Sequence, residues 1–184
     1  MPFAVPGGMD SREWLGVTNQ QALQFFFEHL RDVAPSDPPA GELLYNASIL
    51  AHFATTSAGS TATFPPSPTS LGFVFDVFVM DRSQHADPEI MEAAGSQCLV
   101  LTGFFQDQQE RRHNVEWYAA LGASFYDRAA QYGRDQSRAR MMLAMARHFD
   151  YWRRQHHRLA HELRDVSLLV VGQEPGQEGD SSEF

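Results

Sequence analysis

The chain has 184 residues, 43% of them hydrophobic and 12% aromatic, which is enough for one domain with a full apolar core and predicts a body that folds unaided. Its formal net charge of −9 at pH 7 argues against nucleic acid or an anionic lipid surface as the main partner. All 14 basic residues are arginine, so Schiff-base chemistry and a lysine-bearing phosphate loop are excluded.

The charge is unevenly spread: −9 over residues 1–133, +5 over 134–164 and −5 over 165–184. The basic stretch is expected to pair with its own neighbours and with the acidic tail rather than with an external polyanion. One cysteine, Cys98, permits no internal disulfide. The first residues lack a basic and an apolar leader segment, and no run reaches the ~18 apolar residues of a membrane span. A cytoplasmic location without a membrane partner is expected.

In chain order, residues 1–17 are rich in Pro and Gly and read as a flexible arm. A helix is predicted over about Asn19–Val33, with Ala22, Phe26, His29 or Leu30, and Val33 as its buried stripe and Pro35, Pro38 and Pro39 beyond its end. A second helix over about Gly41–Thr56 buries Leu43, Ala47, Leu50 and Ala54, and Ser57 to Thr69 reads as a loop. Leu71–Met80 is ambiguous: Phe73, Phe75, Val77 and Val79 alternate as in a strand, yet a lone strand has no partner here, so a helix is expected.

Asp87-Pro88-Glu89 is a helix start, with Asp as cap and Pro at the first helical position. That helix is predicted to run to about Gln108. A polar break over Glu110–His113 precedes a fifth helix capped by Asn114 and ended at Gly133. The clearest periodicity lies in a sixth, from about Asp135 to Arg164. There Met142, Met145, Phe149, Trp152, His156, Leu159 and Leu163 alternate at spacings of three and four and form a bundle seam. Ser167 to Val171 reads as a brief apolar extension, and residues 172–184 as a disordered acidic tail. The reading is thus all-α: a single-domain bundle of about six helices over residues 18–171, with a long C-terminal helix.

Leu101-Thr-Gly-Phe-Phe, Val115-Glu-Trp-Tyr and Leu121-Gly-Ala-Ser-Phe-Tyr resemble the pattern of a group of uncharacterised bacterial helical proteins, over about residues 95–133. The resemblance implies an all-helical bacterial cytosolic protein and carries no assigned reaction or catalytic residue. Gly95, Ser96 and Gln97 depart from that pattern, which usually has an acid before the apolar run.

Candidate chemistry centres on histidine. Glu110 and His113 have the Glu-x-x-His spacing of carboxylate-metal bundles, and His157 and His161, four apart, could bind one ion through both rings. Only one such Glu-x-x-His is present, and surface histidines account for the same spacing. His156 lies in the seam itself, where a single hydrogen bond would satisfy it; were His29 or His52 to converge on it, a cofactor cavity would follow. Cys98 reads as a packing residue, and no nucleophile elbow, phosphate loop or Cys/His cluster occurs. Arg138, Arg147, Arg153, Arg154 and Arg158 interleave with Tyr151 and Trp152, but global charge and the use of Trp152 in the seam weigh against nucleic acid. With no coherent catalytic set, the sequence favours a non-catalytic protein–protein interaction or regulatory module, self-associating as a homodimer through an aromatic-rich face, with no cofactor. The alternative is a helical-bundle enzyme dependent on iron or haem.

Overall fold

The computed structural model describes residues 19–58 and 71–171; residues 1–18, 59–70 and 172–184, and with them the predicted arm, tail and most of the predicted loop, lie outside the described residues. Every regular element among the described residues is helical. They are α1 (Asn19–Val33), α2 (Ala40–Ala58), α3 (Leu71–Val74) continuing as a π-helical turn (Phe75–Met80), α4 (Pro88–Thr102), α5 (Gln106–Gln109), α6 (Val115–Tyr132), α7 (Gln136–Arg147) and α8 (Phe149–Val171).

α4 lies at the centre. Asp87 caps it as its sequence predicts, accepting from the backbone N–H groups of Glu89 and Ile90 at 2.9 and 3.1 Å. Every residue from Gln97 to Gly103 is buried, so the C-terminal part of this helix is covered on all sides where most others present one stripe. α6 packs against it most extensively, α1 pairs with α2, α7 with α6, and α8 touches α1, α4 and α6.

The predicted seam is real in its burial: Met142, Met145, Phe149, Trp152, His156 and Leu159 are buried and Leu163 is half-buried. It is not one helix. At His148 the backbone turns to φ −102°, ψ 15°, ending α7 before α8 begins. The His148 N–H still donates to Ala144 O (2.9 Å) and its carbonyl accepts from Trp152 N–H (3.0 Å). The break therefore leaves Met145, Phe149 and Trp152 on one face, and a three-and-four spacing runs through it undisturbed.

The helix predicted to reach Gln108 likewise stops at Thr102. Gly103 lies where α8 crosses: a Cβ there would stand 2.8 Å from the Arg153 carbonyl oxygen and from His156 Cβ. Leu71–Met80 is helical, as expected. Its buried positions are Leu71, Val74 and Phe78, at helical spacing, while the alternating Phe73, Phe75, Val77 and Val79 are all half-buried. His85 closes the π turn, donating through Nε2 to the Phe78 carbonyl while its Nδ1 accepts from Arg128 at 3.0 Å.

Gly122 is the second point of close approach. A Cβ on it would lie 2.5 Å from Phe149 Cζ and 2.6 Å from Cys98 Cβ, so α4, α6 and α8 meet there without room for a methyl group. Gly122→Ala should lower unfolding free energy in urea by about 1–3 kcal/mol through overpacking. At exposed Gly41 in α2, where the nearest atom to an added Cβ is the flexible Met141 Cε at 3.3 Å, the same change should be neutral or stabilising by up to about 1 kcal/mol.

Candidate metal centre

α8 carries a second stripe beside the seam. His157, His161 and Arg164, spaced four and three, share a face. α5, a single turn made possible by the chain's exit from α4 at Gly103, brings Asp107 against that face. His157 Nε2 lies 2.8 Å from Asp107 Oδ1, His161 Nε2 lies 3.2 Å from Asp107 Oδ2, and the two Nε2 atoms are 3.1 Å apart. The imidazole planes stand at 85° with centroids 4.5 Å apart. Rings meeting head-on through those nitrogens would hold their centroids farther apart, so the two rings do not share one axis through them. Donor atoms around a tetrahedral zinc with bonds of about 2.0–2.1 Å are separated by roughly the same distances.

All three side chains are partly exposed, so an ion can reach them. Hydrogen bonds from His157 and then Arg164 pull the Asp107 carboxyl down to about 2, keeping it a carboxylate. Arg164 Nη2 sits 2.7 Å from Asp107 Oδ2 and competes for the oxygen an ion would use. Two imidazole nitrogens and one carboxylate suit late first-row divalent ions.

Of the residues predicted for a metal, His157 and His161 come together; Glu110 and His113 do not join them. Glu110 is exposed at the end of α5, and His113 sets its ring edge-on to Tyr118 at 5.8 Å. Asp107 was missed because its segment read as the end of a continuous helix. No spacing in the sequence links Asp107 to His157, 50 residues on.

The residues predicted for a cofactor stay apart. His156 is fully buried and donates through Nε2 to Asn46 Oδ1 at 3.0 Å. The Asn46 amide is fixed the right way round because its Nδ2 donates to the Glu42 carbonyl (2.8 Å) and faces Met145 Sδ (3.4 Å). Nδ1 of His156 has no partner among the described residues, and burial drives the ring's pKa down to about 3. His29 donates through Nδ1 to the Phe25 carbonyl in its own helix (2.8 Å), and exposed His52 lies against Phe53. Cys98 is buried and its thiol pKa is pushed up by desolvation, in keeping with a packing role.

A cleft of about 350 Å³ beside His52 is lined by Tyr45, Phe53, Glu92, Gln97 and Arg138. Several of its polar groups are already paired: Tyr45 donates to Glu92 (2.9 Å), Arg138 donates to Glu92 (2.7 Å), and Ser96 bonds Tyr126 (3.0 Å), whereas both side-chain amide atoms of buried Gln97 have no partner among the described residues. Part of the basic α7–α8 stretch is also paired internally, with buried Arg153 on Glu116 and Asp150 and Arg154 on Asp150.

The His156 ring binds its proton far less readily in the folded chain than in the unfolded one. Its contribution to stability is full above about pH 6.5 and is lost as the pH falls toward 3. His156→Gln, which keeps an amide donor for Asn46, should flatten the slope of unfolding free energy over that window in urea titrations at successive pH values.

No protein-family model, curated protein or solved structure matches this chain.

Proposed function

We propose that this chain binds one divalent late first-row ion, of the zinc, cobalt or iron(II) class, on the outer face of α8, and that it works as a metal-dependent helical protein. The observation that carries this reading is the convergence of Asp107, His157 and His161: the two Nε2 atoms are 3.1 Å apart, each lies 2.8–3.2 Å from a different Asp107 oxygen, and one donor atom from each residue falls within 4.8 Å of the others. Three protein donors leave a position for water or substrate, the count found in catalytic rather than closed structural zinc sites. Haem has less support: His156 commits Nε2 to Asn46 and is enclosed by packing.

Titration of the full chain with Zn²⁺ by calorimetry, and with Co²⁺ by its visible spectrum, should give one ion per chain. His157→Ala or His161→Ala should weaken binding at least about 10- to 100-fold with the far-ultraviolet helix signal unchanged. Arg164→Gln should tighten it, because a competitor for Asp107 is gone. The absence of stoichiometric binding, or equal affinity in the histidine variants, overturns the reading.

A second reading, self-association through an aromatic face, is supported by Trp117, which is 45% exposed on α6 with its ring 6.1 Å from that of half-buried Phe75. Sedimentation velocity should then show a dimer that Trp117→Ser dissociates. A monomer at every concentration overturns it.

A further inference from the structure

Two clefts flank the candidate metal centre and share Asp107, Gln108 and Arg164 as a common wall. One, of about 540 Å³, is lined by Phe104, Phe105, Ala160 and Leu163. The other, of about 780 Å³, is lined by Gln109, Arg111, Arg112 and His113. Three arginines thus line a cleft whose single lining acid is Asp107, in a chain of net charge −9. Arg111 and Arg112 are exposed and make no ion pair among the described residues, unlike Arg138, Arg153 and Arg154. Unpaired guanidiniums grouped in one cleft are a receptor for a phosphate-type oxyanion, whose geometry matches their fork of donors.

The apolar side of the wall adds a second requirement. A ligand reaching across Arg164 would put its charged head among the arginines and its body against Phe104, Phe105 and Leu163. Metal binding bears on the same wall, since an ion at Asp107 takes the carboxylate oxygen that Arg164 holds at 2.7 Å and releases the guanidinium into the cationic cleft.

We infer that this face is a binding site for a small amphiphilic anion, a phosphate- or phosphonate-type head on an aryl or short acyl body. Arg111, Arg112 and Arg164 hold the head, and the bound metal raises the affinity by freeing Arg164 and offering its open position to an anion oxygen. The metal-linked gain rests on the metal reading above, whereas the cleft itself does not.

The full chain is titrated calorimetrically with phenylphosphonate and with inorganic phosphate, with and without one equivalent of Zn²⁺. Phenylphosphonate should bind more tightly than phosphate, and at least about tenfold more tightly again with zinc present. R111Q/R112Q should weaken phenylphosphonate at least about tenfold while leaving the zinc titration unchanged. Phe104→Ala should reduce the preference for phenylphosphonate over phosphate. Equal affinity in R111Q/R112Q, or no preference for the aryl anion, overturns the inference. Should zinc bind and phenylphosphonate not, the inference alone falls. Should zinc not bind, the metal reading falls, and the metal-free titration decides the cleft: binding lost in R111Q/R112Q sustains it, and no binding overturns it.

Discussion

The close crossing of α4, α6 and α8 is the constraint on which the rest of the fold depends. The C-terminal part of α4 is buried on all sides because its neighbours come close, and they do so at two positions without a side chain, Gly103 and Gly122. Phe149, at the first turn of α8, fills the space over Gly122, and the Arg153 carbonyl and His156 Cβ stand over Gly103. Interiors pack at crystal-like density, so an added methyl group at either place has nowhere to go. Both glycines, in the Leu101-Thr-Gly-Phe-Phe and Leu121-Gly-Ala-Ser-Phe-Tyr segments, are packing residues here.

The candidate metal centre lies beside the same crossing. α4 ends at Thr102 where α8 lies over Gly103, and the chain leaves it through Phe104 and Phe105 into the short turn of α5. That turn sets Asp107 beside the second stripe of α8, where a continuing helix would have carried it elsewhere. The donors therefore come from a helix face fixed by core packing and a turn fixed by the end of its neighbour, which is the kind of rigid support a metal site needs.

Buried polar groups align the helices around this crossing. Glu42 accepts from Trp152 Nε1 at 2.7 Å and bonds His148 Nδ1 at 3.0 Å, tying α2 to both sides of the α7–α8 break. Asn46, one turn on, takes the His156 ring and donates back to the Glu42 carbonyl. Such groups must be matched in position as well as polarity, because an unpaired buried donor or acceptor costs about 1–3 kcal/mol. They fix the register of α2 against α8, which apolar side chains alone specify loosely.

From the sequence came the elements and their buried faces: the α1 stripe, the Asp87 and Asn114 caps, the stop at Gly133, and the seam from Met142 to Leu159. Each rests on local chemistry or on a periodicity that survives any tertiary arrangement. The ends of α4 and α7 did not come from it, since the apolar run continues past Gly103 into Phe104 and Phe105 and His148 interrupts a helix without shifting the apolar phase. Spacing along α8 was enough to pair His157 with His161. Their third donor was decided by the turn of α5, because Asp107 reaches them across 50 residues of chain, a distance that no sequence periodicity spans and only packing closes.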